Sequence, residues 1–125
     1  MPVQLQWHPS LPILIMTYRG RLTVNAYQTM CAERDRLLNE RPAPVILVAD
    51  VSQLDEFADA GLVEPCASAL DDPRVGSVLV VLSEAGYRSV LRAAEETAGQ
   101  PLRARFFRDL AGALAAAERL VAAQR

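Results

Sequence analysis

Val3, Leu5 and Trp7 alternate with Gln4, Gln6 and His8. A period of two predicts a strand with one buried face. Pro9 and Pro12 bracket a turn, and residues 13–22, rich in β-branched and aromatic side chains, predict a second strand in a hairpin with the first. Thr23 then offers an N-cap. Tyr27, Met30, Cys31, Arg34, Leu37 and Leu38 follow at helical spacing, and Pro42 and Pro44 stop that helix. Residues 45–49 and 78–82 are uniformly apolar, which predicts central strands covered on both faces. A helix is expected between them, within residues 56–70, with Pro65 kinking it or starting its main part and Asp71-Asp72-Pro73 closing it. Residues 85–98 predict a third helix, with Tyr87, Val90, Leu91 and Ala94 inward, capped by Gly99 and stopped by Pro101. Leu102, Ala104 and Phe106 alternate with Arg103 and Arg105, a last strand whose arginines suit an edge. Asp109 caps a fourth helix over residues 110–123, with Leu114, Ala117, Leu120 and Val121 inward.

The order is ββαβαβαβα. It predicts an α/β fold: a single mixed, mostly parallel sheet of about five strands with four helices, the N-terminal hairpin adding an antiparallel edge. The sheet edges leave room for a homodimer.

Composition narrows this picture without redirecting it. A chain of 125 residues predicts one domain over residues 1–125. Apolar residues at 51% and charged residues at 22% describe an ordinary globular chain, and a net charge of −2 argues against a nucleic-acid partner. No apolar run approaches the roughly 18 residues of a membrane span, and the N-terminus lacks the pattern of a signal peptide. Cys31 and Cys66 form no metal-ligand spacing and read as two buried thiols. The expected location is cytoplasmic. All 13 basic residues are arginine, which excludes Schiff-base chemistry and a P-loop lysine.

Catalysis finds little support. His8 is the only histidine; it sits beside Pro9 at a strand end and reads as a turn residue. No GxSxG, GxGxxG or GxxxxGK is present. Asp50, Asp55, Glu56 and Asp59 could offer oxygen ligands to a cation, but their spacing is not that of a calcium loop. At the start of the second helix these acids would meet the positive end of the macrodipole, so capping outweighs metal binding. Arg103, Arg105 and Arg108 interleave with Phe106 and Phe107; Phe106 inward and Phe107 stapling the helix start explain them better than nucleic acid does. No enzyme, cofactor or metal is expected.

The segment VILVADVSQLDEFADAGL resembles the signature of STAS domains, the family of anti-sigma-factor antagonists and of the cytoplasmic modules of sulfate transporters. Three further stretches bring the whole chain close to the SpoIIAA-like branch: R-G-R-L-T before the first helix, D-D-P-R-V-G-S-V-L-V-V, and F-F-R-D-L-A-G-A-L. The order of all four carries the resemblance. It implies a non-enzymatic regulatory or protein-interaction module whose partner is a kinase-like or anti-sigma-like protein. In the antagonists a serine or threonine before the Gly-Leu pair is phosphorylated. Matching Gly61-Leu62 to that motif places Asp59 there, between Ala58 and Ala60, with no hydroxyl. The expectation is a fixed negative charge, with Ser52, Asp59 and Gly61 forming the interaction surface. The alternative implied by the same resemblance is a SEC14-like, membrane-associating carrier of an apolar small molecule or lipid. Its groove would be lined by Phe57, Leu62 and Val63.

Overall fold

The computed structural model describes residues 3–42, 44–57, 72–84 and 105–124. Its strands are β1 (Val3–Trp7), β2 (Ile13–Leu22), β3 (Val45–Phe57), β4 (Val75–Val81) and β5 (Arg105–Phe107); its helices are α1 (Val24–Leu38) and α2 (Leu110–Ala123). They form one five-stranded sheet in the order β1-β2-β3-β4-β5. β1 is antiparallel to β2; every later pairing is parallel. The mixed, mostly parallel sheet, its antiparallel hairpin edge and the arginine-bearing edge at β5 agree with the sequence reading. The second and third expected helices lie outside the described residues, apart from the corrected start given below.

Period-two alternation sorts the apolar strand positions onto two faces. Leu14, Met16 and Tyr18 of β2, Val45, Leu47 and Ala49 of β3, and Val78 of β4 pack under Tyr27, Met30, Leu37 and Leu38 of α1. Ile13, Ile46, Val48, Leu79 and Val81 pack on the other face against Ala113, Ala116, Ala117 and Val121 of α2. β3 and β4 are apolar at consecutive positions because both faces are covered.

Each helix begins where a short polar side chain captures a free N–H. Thr23 Oγ1 accepts from the Ala26 N–H at 3.1 Å, and Asp109 Oδ1 accepts from the Gly112 N–H at 2.6 Å. α1 stops at its C-cap Asn39, ahead of both prolines. Phe107 packs beside α2, as a residue stapling the helix start should, while Phe106, half-buried, pairs with Val80 on the opposite face. The reason is register: Phe107 pairs with Val81, which faces α2, so Phe107 shares that face. Cys31 is a free thiol and half-buried, more exposed than expected; Cys66 lies outside the described residues.

The amino end of the parallel strands is fastened by polar side chains. Arg74, just before β4, donates from Nε to Asp72 Oδ1 at 3.0 Å, from Nη2 to Asp72 Oδ2 at 2.7 Å and from Nη1 to Asn39 Oδ1 at 2.8 Å. It also pairs with Asp35 and donates to the Asp35 backbone carbonyl. One guanidinium therefore ties the β4 start to the last turn and C-cap of α1. Nearby, His8 Nδ1 accepts the backbone N–H groups of Ser10 and Leu11, both at 3.2 Å, and Nε2 faces Glu118 Oε1 of α2 at 3.4 Å. His8 is thus the structural centre of the β1–β2 turn. Arg41 stacks over the Trp7 ring, 4.8 Å from its centroid.

Candidate docking surface at the carboxyl end of the sheet

Loops at the carboxyl ends of parallel strands are where α/β proteins bind. The opposite end of this sheet is closed by the contacts just described. At the carboxyl end, β3 behaves unlike its neighbours. Its pairing with β4 ends at Asp50↔Val81, but it continues to Phe57, paired with β2 alone among the described residues. The ladder with β2 shifts register twice, between Thr17 and Arg19 and again between Gly20 and Arg21. At each shift β3 advances one residue more than β2, the signature of a bulge.

The first bulge follows Asp50. This carboxylate is 7% exposed, the one buried charged side chain among the described residues. Its Oδ1 accepts the Ser52 backbone N–H at 3.0 Å and the Ser52 hydroxyl at 2.6 Å. A buried carboxylate without donors would cost several kcal/mol. Ser52 therefore satisfies Asp50, and Asp50 bends the chain into the bulge. Gly20, the β2 residue beside the second bulge, sits at φ +71°, a conformation that favours glycine.

This geometry corrects one sequence reading. Asp55, Glu56 and Phe57 were expected at or before the start of a helix, but their backbone belongs to β3: Glu56 pairs with Arg21 and Phe57 with Leu22. The backbone of Asp55, Glu56 and Phe57 is therefore strand, and any helix in this stretch begins after Phe57, outside the described residues. The continuation of the strand is hard to read in the sequence for a physical reason. Val51 and Leu54 both pack on the α1 face, three residues apart because the bulge inserts one. A spacing of three imitates a helix.

Ser52 is the one expected interaction residue whose side chain is described; Asp59, Gly61, Leu62 and Val63 lie outside the described residues. Sequence reasoning missed the Asp50–Ser52 bond. The signal available was a charged residue at the end of a wholly apolar run. Around Ser52 the same sheet end carries Glu84, which follows β4, and Arg108, which follows β5; their side chains approach to 4.0 Å. The Leu82 N–H donates to the Phe107 carbonyl at 2.9 Å and holds these two strand ends side by side. No group of three metal-ligating side chains occurs among the described residues. No helix among them is long and apolar enough to cross a membrane.

Comparison of the whole structure with solved proteins places this architecture. A protein of the DUF3478 family from Shewanella loihica PV-4, described as having a SpoIIAA-like fold, superposes with a TM-score of 0.63 and 17% identity over 90% of each chain. The fold is SpoIIAA-like. An anti-sigma factor antagonist from Mycobacterium paratuberculosis shares the SpoIIAA-like arrangement at a TM-score of 0.62 and 17% identity, covering 93% of this chain and 92% of its own. No protein-family model matches the sequence, and comparison with curated proteins gave no match. The resemblance in sequence to SpoIIAA-like proteins is thus met by a resemblance in structure across nearly the whole chain.

Proposed function

We propose that this chain is a non-enzymatic regulatory module that docks a protein partner at the carboxyl end of its sheet. Ser52 forms one side of the surface, and Asp59 and Gly61 continue it. The partner is an anti-sigma-like or kinase-like protein, by analogy with the antagonist that shares the fold. Asp59 supplies a constant negative charge where antagonists carry a phosphorylated hydroxyl.

The bond between Ser52 and Asp50 carries the reading. The Ser52 hydroxyl is committed within the bulge, donating to the buried Asp50 carboxylate at 2.6 Å. A phosphate on Ser52 would set a dianion against Asp50 and remove the donor that satisfies it. A serine committed in this way supports a constitutive surface rather than a switched one.

The test uses an anti-sigma-type kinase with ATP. Intact-mass analysis is expected to find the chain unmodified, and calorimetry to find a complex. Asp59→Lys is expected to weaken that complex by at least about tenfold while the circular dichroism spectrum is unchanged. Stoichiometric phosphate on Ser52 or on any other serine of the chain defeats the constitutive reading. Equal binding by wild type and Asp59→Lys defeats the docking surface.

A further inference from the structure

The opposite edge of the sheet carries a second surface. β1 pairs with β2 on one side only and is the terminal strand. Such an edge presents unpaired backbone donors and acceptors, and proteins usually blunt it with charge. β5, at the other edge, begins with Arg105 and counts three residues in its ladder. β1 is Val3-Gln4-Leu5-Gln6-Trp7, with no charged residue.

Its sequence is nearly the same in both directions about Leu5. Antiparallel pairing of two copies around a twofold axis at Leu5 sets Leu5 against Leu5, Gln4 against Gln6 and Val3 against Trp7. Directly opposed residues share a face of the sheet, so the apolar row continues across the junction and so does the glutamine row. A slip of one residue would oppose apolar to polar side chains throughout. Slips by two keep the faces but shorten the ladder. The register centred on Leu5 is therefore the one that uses all five residues.

The adjoining helix surface has the same character. α1 carries no charge before Glu33, although Asn25, Gln28, Thr29 and Ala32 are exposed. An exposed helix face ordinarily carries charged residues, whereas depletion of charge marks the centre of interfaces. Val24, on the first turn, is 43% exposed, the one large exposed apolar side chain among the described residues. Between this helix and the edge strand runs a mainly apolar groove of about 180 Å³, lined by Val3 and Leu5 on one wall and by Asn25, Ala26, Thr29 and Met30 on the other, with Glu33 the one charged residue at its end.

We infer that the β1 edge and the first half of α1 form a homodimer interface, in which two copies join into a continuous ten-stranded sheet (twice the five strands of one chain). The occupant is a second copy because the edge is complementary to itself. The two α1 helices then lie on one face of the joined sheet, flanking the axis, and the two grooves open onto each other. A five-residue ladder with a modest helix contact predicts a dissociation constant on the order of 10 µM.

The experiment exploits the opposition of Gln4 to Gln6. Both are exposed, and within the chain they pair with Thr17 and Ile15, so charge there leaves the monomer intact. In the dimer, Q4K/Q6K opposes lysine to lysine twice, and Q4E/Q6E opposes glutamate to glutamate. Sedimentation velocity from about 1 to 300 µM is expected to show a reversible wild-type dimer. Each double variant is expected to dissociate at least about tenfold more readily. An equimolar mixture of the two is expected to recover dimer as a mixed pair, which a general loss of fold could not produce. A wild-type monomer throughout that range overturns the inference. So does a Q4K/Q6K variant that dimerises like wild type, or a mixture that stays monomeric while its components remain folded.

Discussion

Arg74 shows how much structure one side chain can fix. Its guanidinium reaches Asp72, Asp35 and Asn39, and its planar fork makes a two-point contact with the Asp72 carboxylate. The hydrogen bonds from Arg74 hold the Asp72 carboxyl down from 3.8 to about 2. The direction of the pH effect follows. A carboxylate with a depressed folded pKa stabilises the fold fully above its unfolded value and loses that contribution as pH falls through the folded one. Stability from this pair is present above about pH 4 and fades toward about pH 2. Screening at a site 23% exposed reduces the expected contribution to about 1–2 kcal/mol. Urea unfolding of wild type and Asp72→Asn should therefore differ at pH 7 and converge near pH 2; a difference that persists at the acid end would disprove the assignment. His8 makes a parallel case. His8→Phe removes the acceptor of the Ser10 and Leu11 N–H groups, the latter part-buried, and is expected to cost about 1 kcal/mol. His8→Asn, which keeps an acceptor for a turn, should recover most of that, read as a shift in urea midpoint.

Among the elements, β3 separates what the sequence discloses from what it conceals. Residues 45–49 announce a central strand because every side chain is apolar, and residues 110–123 announce a helix through the Asp109 cap and its inward stripe. The caps, the hairpin and the edge positions were legible for the same reason: each depends on residues within a few positions of one another. The extension of β3 to Phe57 was not, because it depends on β2 being long enough to supply a ladder as far as Leu22. The bulges then erased the period of two that would have betrayed it. Of the proposed docking surface, Ser52 was named from the resemblance, while its bond to Asp50 required the bulge to be seen. Gly20 reports on that bulged ladder directly. An alanine there meets no neighbour within 4 Å, so any cost is backbone strain at φ +71°. Gly20→Ala is expected to destabilise by about 1 kcal/mol by thermal unfolding, and no change at all would mean the backbone there relaxes freely.

The described residues form two half-cores separated by one sheet, and the energetics should show that division. Leu38, 2% exposed, anchors α1 on its face; Ala117, fully buried, lets α2 lie close on the other. Leu38→Ala opens a cavity and is expected to cost about 2–5 kcal/mol. Ala117→Leu forces α2 outward against Ile46, Val48, Leu79 or their neighbours and is expected to cost about 1–3 kcal/mol. The two sites share no partner, because alternation along each strand sends Leu47 to one helix and Val48 to the other. Their effects in the double variant should therefore add to within about 0.5 kcal/mol in urea unfolding. A larger coupling would mean that strain crosses the sheet and that the helices move together. For the two proposed surfaces, beyond Ser52 and at β1, additivity predicts that they vary independently. Strand β2 lies between the two surfaces and is hydrogen-bonded on both sides, to β1 along one edge and to β3 along the other. It would shift only if both ladders broke.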